Sequence, residues 1–335
     1  MEAQLKRSGQ EGRGTKRDAI MVRMTLTELR YLVNLDKERH FGRAAERSFV
    51  SQPTLSVALK KLEDELGVAL FERNRGEAKP TPVGERIIAQ ARRVLAEARR
   101  IEDLAREGHD ELVGPLRFGA IYTVGPYLLP NLVPLLRERV PMMPLVIEEN
   151  FTARLLEQLR DNELDVICVA LPVDLSSLAA WPVYDEDFVV LLPPEHHWAN
   201  EQAIPARQLA GEKLLLLGPG HCFREQVIEA CPKCVDPDRD GPLPQSGSSL
   251  ETIRHMVVGG LGITVLPQSS VENRPDERSR LLAKPFVPPG PHRRIALVWR
   301  KTFPRRQAIV QLRDAILACG MKGVRYLPDA PQQQD

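Results

Sequence analysis

The stretch Phe41-Gly-Arg-Ala-Ala-Glu-Arg-Ser-Phe-Val-Ser-Gln-Pro-Thr-Leu-Ser-Val-Ala-Leu-Lys-Lys-Leu-Glu63 reads as two helices joined by a tight turn. Ala44 and Ala45 are small enough for a second helix to cross closely, and the turn falls at Phe49-Val50. Ser51 has the character of an N-cap, and Pro53 suits the first helical turn. Leu55, Val57, Ala58, Leu62 and Leu66 then follow at helical spacing, and Gly67 ends the helix. A helix-turn-helix places the N-terminal face of its second helix in the DNA major groove. Here that face presents Ser51, Gln52, Pro53, Thr54 and Ser56. Gln can bond adenine bidentately, and Ser or Thr can reach bases or phosphates. Lys60 and Lys61 would neutralise phosphates, with Arg73 and Arg75 in a short β-wing spanning 70–82. Residues 24–85 carry ten basic and ten acidic side chains, so charge alone does not argue for nucleic acid. The competing reading is a plain helical hairpin with a solvated lysine face.

On the N-terminal side, Leu26, Leu29, Leu32, Val33 and Leu35 give a further amphipathic helix. Residues 1–23 lack apolar periodicity and read as a disordered tail, or as sequence upstream of the true start, since Met21 and Met24 are both plausible initiators. On the C-terminal side, Ile87, Ala91, Val94, Ala98, Ile101 and Ala105 alternate steps of four and three, and Ile88 and Leu95 widen the stripe. This heptad seam predicts a long helix over 83–106 that pairs with a second copy of the chain. Gly108 and Gly114 bracket its exit. After Pro115, strands alternate with helices. Strands are expected at 116–120, 145–148, 166–171, 189–192, 214–217, 263–266 and 295–299, and helices at 127–139, 152–160, 222–230, 250–258 and 306–318. That alternation predicts an α/β region with mostly parallel sheets, large enough for two lobes. The proline-rich piece Phe286-Val-Pro-Pro-Gly-Pro291 reads as a rigid connection between them.

Composition sets the outer limits. The 335 residues carry 46 basic and 45 acidic side chains, with 43% hydrophobic content, close to an average soluble globular protein. No apolar run is long enough for a transmembrane helix, and no secretory signal is visible. Five cysteines do not make a disulfide scaffold of this length and fit the reducing cytosol. A cytoplasmic location is therefore expected, with no membrane partner.

The chemistry concentrates in Gly218-Pro-Gly-His-Cys222-Phe-Arg-Glu-Gln-Val-Ile-Glu-Ala-Cys231-Pro-Lys-Cys234. Two glycines end a strand and Cys222 opens a helix, where backbone N–H groups and the helix dipole favour a thiolate. His221 and Arg224 lie beside it and could add donors or positive charge. Such a thiolate can attack peroxide to give a sulfenic acid, which a second thiol condenses to a disulfide. Cys231 follows nine residues later, a helical rise of about 13.5 Å at ~1.5 Å per residue. A disulfide needs Cα atoms roughly 4.4–6.8 Å apart, so bonding the two must unwind or rearrange the helix. Pro232 opposes continuation of the helix past Cys231. Cys234 could take the second role instead. Cys168 reads as a buried strand residue, Cys319 as packing or surface, and His196-His197 as an exposed turn.

Residues 24–108 resemble the winged helix-turn-helix and linker helix of the LysR-type transcriptional regulators. Ala44-Ala45, Ser51-Gln52-Pro53-Thr54-Leu55-Ser56, Leu62-Glu63, Leu66-Gly67, Leu70-Phe71-Glu72-Arg73 and Thr81-Pro82-Val83-Gly84 carry the resemblance, which continues into the α/β part. It implies an N-terminal winged helix-turn-helix and a C-terminal two-lobed domain like the periplasmic binding proteins, with Ser248-Ser249-Leu250-Glu251-Thr252 at a helix start facing the effector. It also implies double-stranded DNA as partner, a homodimer through the linker helix or a homotetramer, and contact with RNA polymerase. The run from Gly220 to Gln226, followed by Cys231, resembles the hydrogen-peroxide-sensing branch of that family. This implies that Cys222 is the sensing thiolate and Cys231 its resolving partner, with Cys234 as an alternative because it departs from the pattern. It implies that Thr123, within Tyr122-Thr-Val-Gly-Pro-Tyr127, positions peroxide together with Thr152 and His221. Arg293 matches the family's arginine near the pocket, with Arg294 adjacent.

The expected division is a tail at 1–23, a DNA-binding domain at 24–82, a linker helix at 83–110, a regulatory domain at 114–320 and a tail at 321–335. The expected function is a transcriptional regulator that senses hydrogen peroxide and controls antioxidant genes. Two rivals keep the same fold. One is a metal sensor using His221, Cys222, Cys231 and Cys234; the other responds to a small organic anion held by Ser248, Ser249 and Thr123. An enzyme is not expected, because no nucleophile elbow, Walker loop or His-Glu-x-x-His is present, and Phe223 stands where a dinucleotide loop needs its third glycine. No cofactor and no metal site are expected.

Overall fold

The computed structural model describes residues 24–73, 77–106, 110–234, 246–272 and 280–333. The expectations for residues 1–23, Arg75, Gly108 and the segment 235–245 lie outside the described residues, as does the side chain of Arg73. The chain divides into two compact units, 1–95 and 96–335.

In the first unit α1 (Leu26–Glu38), α2 (Phe41–Arg47) and α3 (Gln52–Leu66) precede the two-stranded wing β1 (Phe71–Arg73) and β2 (Ala78–Pro80). Thr25 and Glu28 cap α1 reciprocally, and Ser51 caps α3 by accepting from the Thr54 N–H. Leu32, Leu35, Ala44, Leu55 and Leu62 form the dry centre where the three helices meet. Helix α4 (Pro82–Arg106) follows, with the Thr81 hydroxyl accepting from the Gly84 N–H. A Cβ on Gly84 would lie 2.1 Å from the Leu70 carbonyl oxygen, so only glycine lets α4 approach the wing's base this closely. The expected heptad seam is divided. Ile88, Ala91 and Leu95 are buried in this unit's own core and Ile87 and Val94 pack against it, while Ile101 is 69% exposed.

The second unit is two lobes sharing one long strand, β6 (Leu178–Leu192). In lobe 1 the strand order is β4 (Leu145–Asn150), β3 (Leu116–Ile121), β5 (Val166–Leu171), β11 (His292–Arg300) and the first part of β6. Helices α5 (Gly125–Arg139), α6 (Thr152–Arg160) and α10 (Arg306–Leu317) belong to this lobe. In lobe 2 the end of β6 continues to β9 (Ile263–Pro267), β7 (Leu214–Leu217) and β8 (Ser246–Gly247). Helices α7 (Cys222–Ala230), α8 (Leu250–Val258) and the short α9 (Ser269–Glu272) complete it. β10 (Leu282–Pro285) pairs with the lobe 2 end of β6, and β12 (Arg325–Tyr326) with its lobe 1 part. Residues 286–291 lead from β10 into β11, so the proline-rich piece does run from one lobe to the other.

The expectation of mostly parallel sheets needs correction. β3–β4, β3–β5, β7–β9 and β7–β8 are parallel, but β5–β11, β11–β6, β6–β9, β6–β10 and β6–β12 are antiparallel. Parallel pairs form within each βαβ succession, whereas the strands that cross between lobes run against them. Among the described residues no helix is long and apolar enough to cross a membrane.

Candidate redox site and nucleic-acid interface

The redox candidates converge where the two lobes face each other. Lobe 1 contributes the turn after β3, with Tyr122 and Thr123, and the junction of β4 with α6, with Asn150, Phe151 and Thr152. Lobe 2 contributes the turn from β7 into α7, with Gly220, His221 and Cys222. Together with Ile121 these line a pocket of ≈ 10 Å³. That volume suits a molecule on the scale of water. Cys222 is the first residue of α7 and half-buried, and its side chain packs on the core of lobe 1. The rest of α7 belongs to lobe 2, anchored there by Phe223 and Val227.

Behind the pocket stands a wholly buried ion pair. Arg293 Nε donates to Glu186 Oε2 at 2.8 Å, and both side chains are closed to solvent. The remaining guanidinium donors fix Thr123, with Nη1 on its hydroxyl at 2.8 Å and Nη2 on its carbonyl oxygen at 2.9 Å. The guanidinium also sits 5.2 Å from the Phe223 ring centre. Burial is the largest influence on the Arg293 pKa and would lower it, but Glu186, Tyr184 and Cys222 acting together hold it above its ordinary value. Cys222 is among the groups close enough to act on that charge. Arg294 points to the other face of the sheet and pairs with Asp185 at 2.7 Å, so Arg293 is the arginine at the pocket. Because the Thr123 oxygen accepts from Arg293, its own proton is free to be donated elsewhere. Thr152 Oγ1 is buried and has no hydrogen-bond partner among the described residues. Burial pushes the His221 pKa down, partly opposed by a hydrogen bond to the Ser248 backbone, so the ring is neutral near neutral pH.

The second pair of thiols lies elsewhere. Cys231 and Cys234 are 3% and 2% exposed within the lobe 2 core, and the Cys234 N–H donates to the Cys231 carbonyl at 3.0 Å. Every cysteine is a free thiol. Helix α7 is intact from Cys222 to Ala230, with Cys231 as its C-cap. Arg224, a candidate donor to Cys222, spends one Nη on the Leu217 carbonyl at 2.9 Å. Burial pushes the Cys168 thiol up to about 12 and the Cys319 thiol up to about 11, as suits inert packing. His221, Cys222, Cys231 and Cys234 are not gathered at ligand distances. The group of described residues that is gathered so comprises His196, His197 and Glu212. His196 and His197 do lie in a turn, where His197 is exposed and His196 half-buried: His196 contacts Glu212 at 3.3 Å, and its Nδ1 lies 3.2 Å from the Trp198 N–H. Ser249 caps α8 through the Thr252 N–H, while Ser248 is exposed.

Several residues in and behind the pocket were not anticipated. Glu186 sits in the acidic run Asp185-Glu-Asp187 opposite the basic Arg293-Arg294, and that charge complement was the available signal. Tyr122, Asn150 and Phe151 gave none, being ordinary residues at a strand end.

In the first unit, Ser51, Gln52, Pro53 and Thr54 are exposed at the start of α3 and Ser56 is half-buried. Ser51 Oγ and Thr54 Oγ1 also bond each other at 2.8 Å. Lys60 is exposed. Lys61 is engaged by Glu28 at 3.0 Å and Glu65 at 3.4 Å. Its hydrogen bond to Glu28 raises its pKa. Burial would raise that of Glu28, but hydrogen bonds from Thr25 and Lys61 lower it.

Comparison with known proteins adds to this picture. Residues 26–85 match the model of the bacterial regulatory helix-turn-helix proteins of the lysR family, and residues 109–319 match that of the LysR substrate binding domain. The chain is 41% identical over 297 residues to the DNA-binding transcriptional dual regulator OxyR of Escherichia coli K12, covering 88% of this chain and 95% of that protein. It superposes on a full-length OxyR of Pseudomonas aeruginosa carrying a cysteine-to-aspartate substitution, with TM-score 0.69 and 49% identity, covering 92% of this chain and 99% of the other. A Corynebacterium glutamicum OxyR with a cysteine-to-serine substitution, solved with hydrogen peroxide bound, gives TM-score 0.58 at 34% identity over 88% and 92% of the two chains.

Proposed function

The chain belongs to the LysR family of bacterial helix-turn-helix regulators, and from that premise we propose that it is a DNA-binding transcriptional regulator that senses hydrogen peroxide. The observation that carries the sensing role is the pocket. In a space of ≈ 10 Å³, a cysteine at a helix start meets two threonine hydroxyls with capacity to spare and one neutral histidine. Arg293, the buried cation behind the pocket, is already neutralised by Glu186, which disfavours an organic anion there.

The reaction follows from this layout. Peroxide sits between Thr123, Thr152 and His221, and the Cys222 thiolate attacks one oxygen. The S–O bond forms as the O–O bond breaks, and the departing hydroxide takes a proton and leaves as water. Cys222 is then a sulfenic acid, which the thiol of Cys231 displaces, forming the S–S bond and releasing a second water. Intact, α7 separates these cysteines by about 13.5 Å, so the disulfide requires α7 to unwind and Cys231 to leave the lobe 2 core. That refolding is the signal. Cys234, in the same buried cluster, is the alternative resolving thiol. Arg293 acts by holding Thr123.

DNA is read by α3 through Ser51, Gln52, Pro53, Thr54 and Ser56, with Lys60, Lys61, Arg73 and Arg75 on phosphates. The division is a DNA-binding domain at 24–82, a linker helix at 83–110 that dimerises, and a regulatory domain at 114–320. A homotetramer, contact with RNA polymerase, control of antioxidant genes and a cytoplasmic location complete the reading, which includes no enzymatic turnover, cofactor or metal.

The test is to map disulfides by non-reducing peptide mass spectrometry after one equivalent of hydrogen peroxide. A Cys222–Cys231 link formed within seconds is expected. A Cys222–Cys234 link would keep the function and move the resolving role, and no reaction at Cys222 would refute peroxide sensing. Cys222→Ser should abolish the response and leave DNA binding by the reduced form intact.

A further inference from the structure

Resting on the peroxide reading, we propose that Tyr122 and Phe151 form an aromatic gate that admits hydrogen peroxide and excludes bulkier organic hydroperoxides. Both side chains line the pocket with Cys222, and both come from lobe 1, across the cleft from the thiol's helix. Their rings meet edge to face with centres 5.3 Å apart. Phe151 packs edge-on against the His221 imidazole at 4.8 Å, and Tyr122 lies 6.0 Å from it. The three rings thus make a continuous wall bridging the lobes. Tyr122 is 38% and Phe151 36% exposed, so these rings face solvent on one side and the pocket with Cys222 on the other and are not part of a core. Backbone of lobe 2 lies directly against one of these rings. Gly220 has a left-handed φ of 94°, and a Cβ there would stand 3.3 Å from the Phe151 ring.

The hydrogen-bonding groups cannot make this selection. Thr123, Thr152 and His221 address peroxide oxygens, which an alkyl hydroperoxide also has. With either oxidant the thiolate attacks the terminal oxygen, the S–O bond forms and the O–O bond breaks. The sulfur loses two electrons, and the leaving oxygen takes a proton, departing as water or as the alcohol. Only the space for the leaving group differs, and the rings bound that space. Their contacts are apolar and edge-on, so trimming one ring enlarges the mouth without removing a hydrogen bond recorded at the pocket.

The experiment measures the second-order rate of Cys222 oxidation by acid quench and mass spectrometry in the full chain, using hydrogen peroxide and tert-butyl hydroperoxide. Wild type is compared with Phe151→Ala and Tyr122→Ala. Wild type is expected to prefer hydrogen peroxide strongly. At least one variant should raise the tert-butyl hydroperoxide rate by about tenfold or more while changing the hydrogen peroxide rate by less than about threefold. The retained hydrogen peroxide rate shows that the thiol site is still folded. Equal wild-type rates with the two oxidants, or a ratio that neither variant moves, would overturn the gate and leave peroxide sensing standing. A wild-type Cys222 inert to both oxidants would overturn the peroxide reading and the gate with it.

Discussion

The two lobes contribute unlike halves to one pocket. Lobe 1 supplies hydroxyls fixed from behind: Thr123 is clamped by two donors of Arg293, and Arg293 is locked by Glu186 inside the sheet. Lobe 2 supplies the Cys222 sulfur on a nine-residue helix held by Phe223, Val227 and the buried cysteines that follow it. A helix of that length is marginal without its tertiary contacts. The threonine side is therefore fixed within its sheet, whereas the helix that carries Cys222 depends on its tertiary contacts, with Cys231 and Cys234 inside the same core.

The comparison can be broken most forcefully at the ion pair. Arg293→Met leaves Glu186 buried without its cation and should cost about 3–5 kcal/mol in urea unfolding. Adding Glu186→Leu should recover much of that, since the pair is costly to break and cheap to replace. A single-variant cost below about 1 kcal/mol would mean that lobe 1 is not held as described. The two threonines sharpen the same point. Thr123→Val and Thr152→Val should each slow Cys222 oxidation by roughly a hundredfold, the usual loss for one positioned donor. Their stabilities should part. Thr123→Val strands an Arg293 donor and should cost about 1–3 kcal/mol, whereas Thr152→Val removes an oxygen with no recorded partner and should be nearly neutral.

Within lobe 2, Cys231→Ser places a hydroxyl in an apolar core and should cost about 1–3 kcal/mol, while Cys222→Ser at the half-buried helix start should cost under about 0.5. The smallest effect is acid sensitivity from His221. Its folded pKa lies below the ordinary value of 6.5, so the unfolded chain takes up the proton first. The contribution is complete above pH 6.5 and is lost as pH falls from there towards the folded pKa. His221→Phe should flatten that decline, which thermal melts between pH 7.5 and 5 would read as a recovery of about one or two degrees.

The local elements of the site were legible because their signals are local. Ser51, Pro53 and Gly67 bound α3, and Cys222 and Pro232 bracket α7. The first part of β6 was not legible. Trp181-Pro182 and the run Asp185-Glu-Asp187 argue against a strand on propensity. They are tolerated because Arg294, Arg293 and Arg325, distant in sequence, meet the three acids one by one. The heptad stripe left its own partner open for a related reason. A stripe spaced by three and four residues fits a partner helix or a domain core equally well, and Ile88, Ala91 and Leu95 went to the core.

The sequence by itself determined the helix boundaries, the helix-turn-helix, a cysteine at a helix start and the mismatch between a nine-residue helix and a disulfide. Caps, periodicity and rise per residue all act within a few positions of the chain. Only the tertiary structure decided which arginine faces the pocket, which acid neutralises it, that Cys231 and Cys234 are buried, and that two aromatic rings line the pocket with Cys222. Those outcomes depend on strand register and on how one lobe faces the other. Shifting β11 by one residue would exchange Arg293 with Arg294, and nothing near either arginine in sequence prevents it.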